Sequence, residues 1–145
     1  MEGALVQGSF ESGSAAETEA IGARMAAELT PGDVVLIEGE LGAGKTTLVR
    51  GAARALGVRQ AVTSPTFTIG QRYRAPVPVA HLDLYRVPGL AGEDPDLVSD
   101  YLRADTISFV EWPEGGEDVL GRFGRVVARV RLEHAGGDCR RVSVE

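Results

Sequence analysis

Two short apolar runs stand out in the pattern of hydrophobic and polar positions along the chain. The first covers residues 33–37, after the Pro31-Gly32 turn, and the second covers residues 106–110. Both are rich in β-branched side chains, which is the pattern of strands buried on both faces of a parallel sheet. Residues 79–84 predict a further strand, which begins after Pro78 because proline cannot donate a hydrogen bond to a sheet ladder.

Helical periodicity precedes and follows the first apolar run. Residues 14–17, Ser-Ala-Ala-Glu, have the sequence of a capping box and predict a helix over roughly residues 15–29. Residues 46–56 predict a second helix, which ends at Gly57. The apolar faces of these helices consist of Ile21, Met25 and Leu29, and of Leu48, Ala52, Ala55 and Leu56.

The rest of the pattern predicts a short helix and further strands. Residues 67–73 follow a loop and predict a strand, while Asp94-Pro95 has the sequence of an N-cap and a first-turn proline. Residues 125–132 alternate and are followed by a turn and residues 139–144, which predicts a hairpin with one solvated face. The alternation places Val126, Ala128, Val130 and Leu132 on one face. The sequence therefore predicts a single three-layer α/β domain over residues 1–145, with a parallel central sheet, antiparallel additions and a C-terminal β-hairpin.

A glycine-rich segment connects the first buried strand to the second helix. Residues 39–46, Gly-Glu-Leu-Gly-Ala-Gly-Lys-Thr, fit the phosphate-binding P-loop pattern G-x-x-x-x-G-K-[ST] at every fixed position. In such a loop the backbone N–H groups surround the phosphates of a nucleotide, at the positive end of the helix. An ordinary glycine-rich turn is the alternative, and the flanking strand and helix argue against it. The sequence thus predicts a P-loop NTPase-like fold that binds a nucleoside triphosphate.

The lysine of this loop is unusual in the chain. Lys45 is the only lysine among 15 basic residues, and the others are all arginine. A bulkier, planar guanidinium would not replace the ammonium equivalently at this position. We expect its ammonium to reach the β- and γ-phosphates of a nucleoside triphosphate, and the Thr46 hydroxyl to bind Mg²⁺. The predicted nucleotide-binding residues of the loop are Gly39, Glu40, Leu41, Gly42, Ala43, Gly44, Lys45, Thr46 and Thr47.

The composition indicates which partners the protein can bind directly. A protein with a net charge of −6 binds nucleic acid poorly, because contacts to the negatively charged phosphates dominate such binding. We therefore expect contact with RNA only through another protein. No apolar run approaches the length of a membrane span and no signal peptide is evident, which predicts a protein without a membrane anchor. One cysteine, Cys139, excludes an intramolecular disulfide and fits the cytoplasm.

Two carboxylates are candidates for the acid that a P-loop enzyme uses to hold Mg²⁺ or to orient the attacking water. Asp83 lies on the same side of an extended segment as His81 and Tyr85. The alternative interpretation is that Asp83 is only a solvated residue at the end of a strand. Glu111 closes the second apolar run, where a carboxylate requires a partner. We interpret His81 as a hydrogen-bonded strand residue rather than a catalyst. Trp112 belongs either to the core or beside the nucleotide.

Four motifs occur in order: GELGAGKTT at 39–47, SPTF at 64–67, HLDLYR at 81–86 and FVEWPE at 109–114. Together they resemble the TsaE (YjeE) family of small bacterial ATPases, which are needed to make threonylcarbamoyladenosine beside the tRNA anticodon. The resemblance spans about residues 12–113 and is weak in the C-terminal hairpin.

The resemblance implies roles for particular residues. Lys45 and Thr46 would bind phosphate and Mg²⁺, Glu111 would be an acid close to Mg²⁺, and Asp83 would be its partner. It further implies that Trp112 lies near the site. Residues 64–67 would act as a switch, although a plain proline turn is an equal interpretation of their hydroxyl-rich sequence.

The resemblance also implies partners. Family members join a TsaB–TsaD pair, and ATP hydrolysis resets that complex, so tRNA would be contacted only indirectly. Residues 89–96 depart from the family, because they are rich in glycine and acid where a Leu-Gly-Leu-type stretch is usual.

Two other functions remain open from the sequence. The chain contains no asparagine, so the guanine-reading N-K-x-D motif of GTPases cannot exist. A small-molecule P-loop kinase is the enzymatic alternative, with Arg72 and Arg74 as the candidates for its lid. A nucleotide-dependent binding module with negligible turnover is the other.

Overall fold

One mixed sheet of seven strands organises the part of the chain that the structure, a computed structural model, describes: residues 7–40, 43–63, 70–83, 101–111 and 124–145. The elements of these residues are β1 Gly8–Ser12, α1 Ala15–Ala26, β2 Asp33–Gly39, α2 Lys45–Ala55, β3 Gly70–Tyr73, β4 Val79–Asp83, β5 Ile107–Glu111, β6 Arg125–His134 and β7 Arg140–Val144. Within the described ranges, no helix is both long enough and apolar enough to cross a membrane.

The strand order is β1-β7-β6-β2-β5-β4-β3. The four strands β6, β2, β5 and β4 are parallel to their neighbours in this central group. Antiparallel β3 forms one edge, and the β6–β7 hairpin leads to antiparallel β1 at the other. This arrangement confirms the predicted α/β class, with its parallel centre, antiparallel additions and C-terminal hairpin. It also gathers the carboxyl ends of β2, β4 and β5 at one edge of the sheet, where ligands of open α/β sheets bind.

The central strand β2 is buried on both faces, as its apolar sequence predicts. Its side chains alternate between two hydrophobic clusters, and both α1 and α2 pack on the cluster that contains Val35 and Ile37. The opposite face is covered, in the described residues, by Tyr101 and Leu102. The beginning of the helix predicted at Asp94-Pro95 lies outside the described residues.

Helix α1 begins where the capping signal predicts. The Ser14 hydroxyl accepts a hydrogen bond from the backbone N–H of Glu17 at 3.1 Å, and the Glu17 carboxylate accepts one from Gly13 N–H at 2.6 Å. The helix ends at Ala26, earlier than predicted, but Leu29 is still buried in the same cluster as the helix. A side-chain cap of this kind stabilises a helix by about 1 kcal/mol.

The two helices meet backbone to backbone through two glycines. A Cβ at Gly22 would overlap the carbonyl oxygen of Leu48, and a Cβ at Gly51 would overlap that of Glu19. Beside this contact Glu19 forms ion pairs with Arg54 at 3.3 Å and with Arg50 at 3.9 Å. Only glycine permits so close an approach, which fixes α1 against the helix that carries the P-loop lysine.

Three local features differ from the prediction. Strand β1 was not predicted, because its sequence, GSFES, lacks an apolar alternation. In α2, Val49 and Ala53 are buried while Ala55 is exposed, since the helix turns its glycine side toward α1. A register shift between β2 and β6 makes Val127 an extra residue. Val126 therefore packs on the opposite cluster, whereas Ala128, Val130 and Leu132 face the helices as predicted.

We predict that Gly51→Ala lowers the free energy of unfolding by about 1–3 kcal/mol, the cost of forcing an extra methyl group into a packed contact. Without the clash, alanine would stabilise the helix by about 1 kcal/mol relative to glycine. The clash with the Glu19 carbonyl oxygen is what makes the change in unfolding free energy negative. Urea unfolding measures the change. Gly13→Ala is the matched control, because its Cβ would meet only the Glu17 carboxylate, at 3.4 Å. Equal stability of both variants would contradict the close helix contact.

Candidate functional site

Glycine is required at two positions of the P-loop for different reasons. Gly44 adopts φ +99° at the N-cap of α2, a left-handed conformation that L side chains rarely adopt. Gly39 lies so close to β6 that an added Cβ would be 2.7 Å from the carbonyl oxygen of Leu132. Both glycines therefore shape the loop that connects β2 to α2. Leu41 and Gly42 of the same motif lie outside the described residues.

The Lys45 ammonium bridges the loop from the first turn of α2 back to the end of β2. Its Nζ donates a hydrogen bond to the Gly39 carbonyl oxygen at 2.6 Å and lies 3.5 Å from that of exposed Glu40. No side chain caps α2, because the N-cap is glycine. The first N–H groups of a helix have no partner inside it, and an anion is a suitable partner for them. Half-buried Thr46 and Thr47 belong to this turn, and Ala43 is buried.

The two predicted acids come together at the carboxyl edge of the sheet. Asp83 and Glu111 are register partners on parallel strands β4 and β5, and Glu111 is also the partner of Ile37 on β2. Because Ile37 belongs to the cluster beneath the helices, both carboxylates lie on the face that carries α2. Asp83 is 8% exposed and Glu111 is 4% exposed. The sheet therefore brings Asp83 and Glu111 together, at the end where the P-loop begins.

Glu111 has the partner that its burial requires. Its Oε2 lies 2.6 Å from Nε2 of His81, and both side chains are buried. With Nε2 protonated, the imidazole donates this hydrogen bond to the carboxylate. The structure thus confirms that His81 is a hydrogen-bonded strand residue, and it identifies the bonded group as one of the two candidate acids.

The oxygen donors of the site are compatible with Mg²⁺. Within the residues that the structure describes, no group of three or more His, Cys, Asp or Glu side chains is arranged to hold a metal ion. Magnesium is usually bound through one or two carboxylates together with substrate phosphates and water. Asp83, Glu111 and the Thr46 hydroxyl offer oxygen atoms of this kind around the P-loop.

A cavity of about 340 Å³ opens beside the P-loop, on the side of α1 and the β6–β7 hairpin. It is lined by Ser14, Ala15, Thr18, Gly44, Thr47, Asp138 and Arg140. Its volume lies in the range of small-molecule sites. The sequence predicted the P-loop residues Gly44 and Thr47 as part of a site. It gave no signal for the other five, which are far away along the chain and meet only through the fold.

Polar groups hold the walls of this cavity in place. Buried Ser12 forms a hydroxyl–hydroxyl hydrogen bond with Thr18 at 2.7 Å and donates one to the Ser14 carbonyl oxygen at 2.9 Å. The Arg140 guanidinium donates to the carbonyl oxygens of Gly137 at 3.0 Å and Cys139 at 2.8 Å. The lining is largely polar, with the hydroxyls of Ser14, Thr18 and Thr47 on one side and the charged side chains of Asp138 and Arg140 on the other.

The segment that leads into the predicted switch is tied to the rest of the fold. Arg50 of α2 donates a hydrogen bond to the Val62 carbonyl oxygen at 3.3 Å. Burial raises the pKa of the nearby Tyr73 phenol above its ordinary value, against a smaller opposing effect of the Thr63 backbone. Residues 64–67 and Trp112 lie outside the described residues, and their assignments stay predictions.

Comparison with known proteins adds an independent observation. The model of a family described as "Threonylcarbamoyl adenosine biosynthesis protein TsaE" matches residues 12–142, and so extends through the hairpin in which the motif resemblance is weak. A Streptomyces coelicolor protein named tRNA threonylcarbamoyladenosine biosynthesis protein TsaE is 45% identical over 121 residues, which are 81% of this chain and 80% of that protein. A Bacillus subtilis protein of the same name is 39% identical over 129 residues, 88% of this chain and 78% of that protein.

A solved structure has the same fold. The crystal structure of YdiB from Bacillus subtilis matches this chain with a TM-score of 0.71 and 31% sequence identity. The match covers 97% of this chain and 85% of that one. The P-loop, both carboxylates and the cavity wall from the hairpin all fall within the residues that the family model matches.

Proposed function

The chain belongs to the TsaE family of tRNA threonylcarbamoyladenosine biosynthesis, and on this premise we propose that it is an ATP-binding subunit that hydrolyses ATP slowly alone and faster with a TsaB–TsaD pair. The observation that carries the proposal is the placement of Lys45 at the mouth of the P-loop, bonded to the Gly39 carbonyl oxygen at 2.6 Å. Such a lysine is positioned for the charge of transferable phosphates.

The cavity supports a particular orientation for ATP. Gly44 and Thr47 belong to the P-loop segment and also line the cavity, so a nucleotide whose phosphates lie at the start of α2 would extend its nucleoside into that space. The nucleoside would then lie between the first turn of α1 and the hairpin residues Asp138 and Arg140. Adenine is the favoured base because the chain has no asparagine with which to build the guanine-reading motif of GTPases.

Each residue of the site has a task in hydrolysis. Lys45 would neutralise the β- and γ-phosphates, and the Thr46 hydroxyl and the carboxylates would hold Mg²⁺. When bound, Mg²⁺ supplies charge that stabilises the phosphoryl group in the transition state. Asp83 and Glu111, in register at the carboxyl edge, would divide two tasks between them: holding the metal and orienting the attacking water.

The arginines of α2 support slow hydrolysis by the protein alone. Both Arg50 and Arg54 form ion pairs with Glu19 of α1, and Arg50 also bonds to the Val62 carbonyl oxygen. These contacts direct them toward α1 and the segment after α2. An arginine finger is worth about 10³–10⁵ in turnover, and a partner that completes the site is one way to supply it.

We expect phosphate release to be slow for the protein alone and to rise by at least about tenfold when a TsaB–TsaD pair is added, given what a completed site contributes. Steady-state phosphate release with and without the pair measures this. Fast turnover that the pair leaves unchanged would contradict the proposal, and a phosphorylated metabolite among the products would favour the kinase alternative.

Calorimetric titration should show Mg²⁺-dependent binding of ATP that is much tighter than that of GTP.

Lys45→Ala should abolish hydrolysis, because the γ-phosphate loses its main cationic partner. Lys45→Arg keeps the charge but should also fail, since a planar guanidinium does not occupy the loop as an ammonium does. Thr46→Ala should weaken binding of ATP with Mg²⁺ more than binding of ATP alone. Arg59→Ala, at an exposed position after α2, is the control. Turnover like that of the unmodified protein in the Lys45 or Thr46 variants would refute the P-loop assignment.

Asp83→Ala and Glu111→Ala should lower kcat by about 10²-fold or more, the scale of a lost catalytic proton acceptor, while nucleotide affinity changes less. Contacts from the P-loop to the phosphates would survive both changes. Asp105→Ala is the matched control, because Asp105 is an exposed carboxylate just before the opposite end of β5. Unchanged kcat in both test variants would return these acids to a purely structural role.

A further inference from the structure

A buried histidine holds one of the two carboxylates at the edge of the sheet. The side chain of His81 is 0% exposed and that of Glu111 is 5% exposed, and 2.6 Å separates Nε2 from Oε2. A hydrogen bond to a carboxylate inside a protein is stronger than one in water, because the surroundings screen it less. The Glu111 carboxylate is therefore fixed by a short bond that water does not compete for.

The bond runs obliquely between two strands. The register partner of His81 on β5 is Phe109, and Glu111 follows two residues later on the same face. His81 therefore contacts the carboxylate from a position two residues further from the carboxyl edge of the sheet. Asp83, the register partner of Glu111, lies two residues beyond His81 at the end of β4. The imidazole and Asp83 are the two polar residues that β4 presents beside Glu111 on this face.

The histidine combines its bond to Glu111 with one unfavourable feature. His81 Nδ1 is buried and has no hydrogen-bond partner in the described structure. A buried polar atom without a hydrogen-bond partner is unfavourable, and an apolar side chain at this position would avoid that cost. Proteins retain such unfavourable arrangements mainly at functional sites. The contact that an apolar side chain could not make is the bond to Glu111.

We propose that His81 is a positioning residue, which orients the Glu111 carboxylate for the chemistry of the P-loop site. The hydrogen bond engages Oε2 and so sets the rotation of the carboxylate, leaving Oε1 to act on a metal ion or a water molecule. This inference rests on the proposed function, which gives Glu111 that task. Ligand carboxylates are commonly held by a second side chain in this way, and its loss typically costs about 10–100-fold in metal affinity or activity.

Three variants separate positioning from packing. His81→Gln places an amide N–H near the position of Nε2, so it can keep the bond to Glu111. His81→Asn is the matched control, because its shorter amide reaches only the position of Nδ1. His81→Leu fills the space without any donor. Urea unfolding reports whether each variant is folded, and calorimetry measures the affinity for ATP with and without Mg²⁺.

We expect His81→Leu and His81→Asn to lower kcat by about 10–100-fold and to reduce the gain in ATP affinity that Mg²⁺ provides. ATP affinity without Mg²⁺ and KM should change little, because the P-loop contacts remain. His81→Gln should restore kcat and the Mg²⁺ effect toward the unmodified protein. Rescue by glutamine but not by asparagine would not follow from a merely structural role.

Two results would overturn the inference. The first is a folded His81→Leu variant whose kcat and Mg²⁺ effect are unchanged. The second is a His81→Asn variant that is as active as His81→Gln. The second result would be decisive even if the leucine variant did not fold. In both cases the unmodified protein hydrolyses ATP, so the proposed function stands. If instead the unmodified protein shows no Mg²⁺-dependent binding of ATP, the proposed function fails and this inference fails with it.

Discussion

The contact between α1 and α2 is the constraint on which the geometry of the site depends. Gly22 and Gly51 allow each helix to approach the backbone of the other, and no side chain separates them. This contact sets where the first turn of α1 lies relative to Gly44, and residues of both line the cavity. A phosphate-binding loop needs only a strand and a helix, whereas the cavity beside it also needs this second helix.

The parallel centre of the sheet positions the two carboxylates, Asp83 and Glu111. Parallel register alone aligns Asp83, Glu111 and Ile37 at one level and on one face. The P-loop begins two residues after Ile37, so its lysine and the two carboxylates lie at the same edge of the sheet. This arrangement explains why one small sheet can assemble cation, carboxylates and helix terminus at one edge.

Local signals account for what the sequence could predict. The strand and helix on either side of the P-loop motif, the buried strand β5 and the Ser14 cap each depend on residues that are adjacent or nearly so, and the structure confirms those elements. The features that were missed depend on pairing between distant segments. Strand β1 is defined by its partner β7, Val126 changes face because of a bulge, and the bond from His81 to Glu111 depends on the register of two strands.

The pairing of β1 with β7 has a consequence for the order of folding. Arg141 and Glu11, in register on these strands, are 130 positions apart along the chain. Two of the cavity's sides come from the segment that follows β1 and from Asp138 and Arg140 at the start of β7, so the cavity closes only after the most distant pairing in the sheet has formed. Such non-local contacts are slow to form because the entropy of closing a long loop is lost before the contacts stabilise the fold. The strand and helix on either side of the P-loop would therefore form well before the cavity beside them closes.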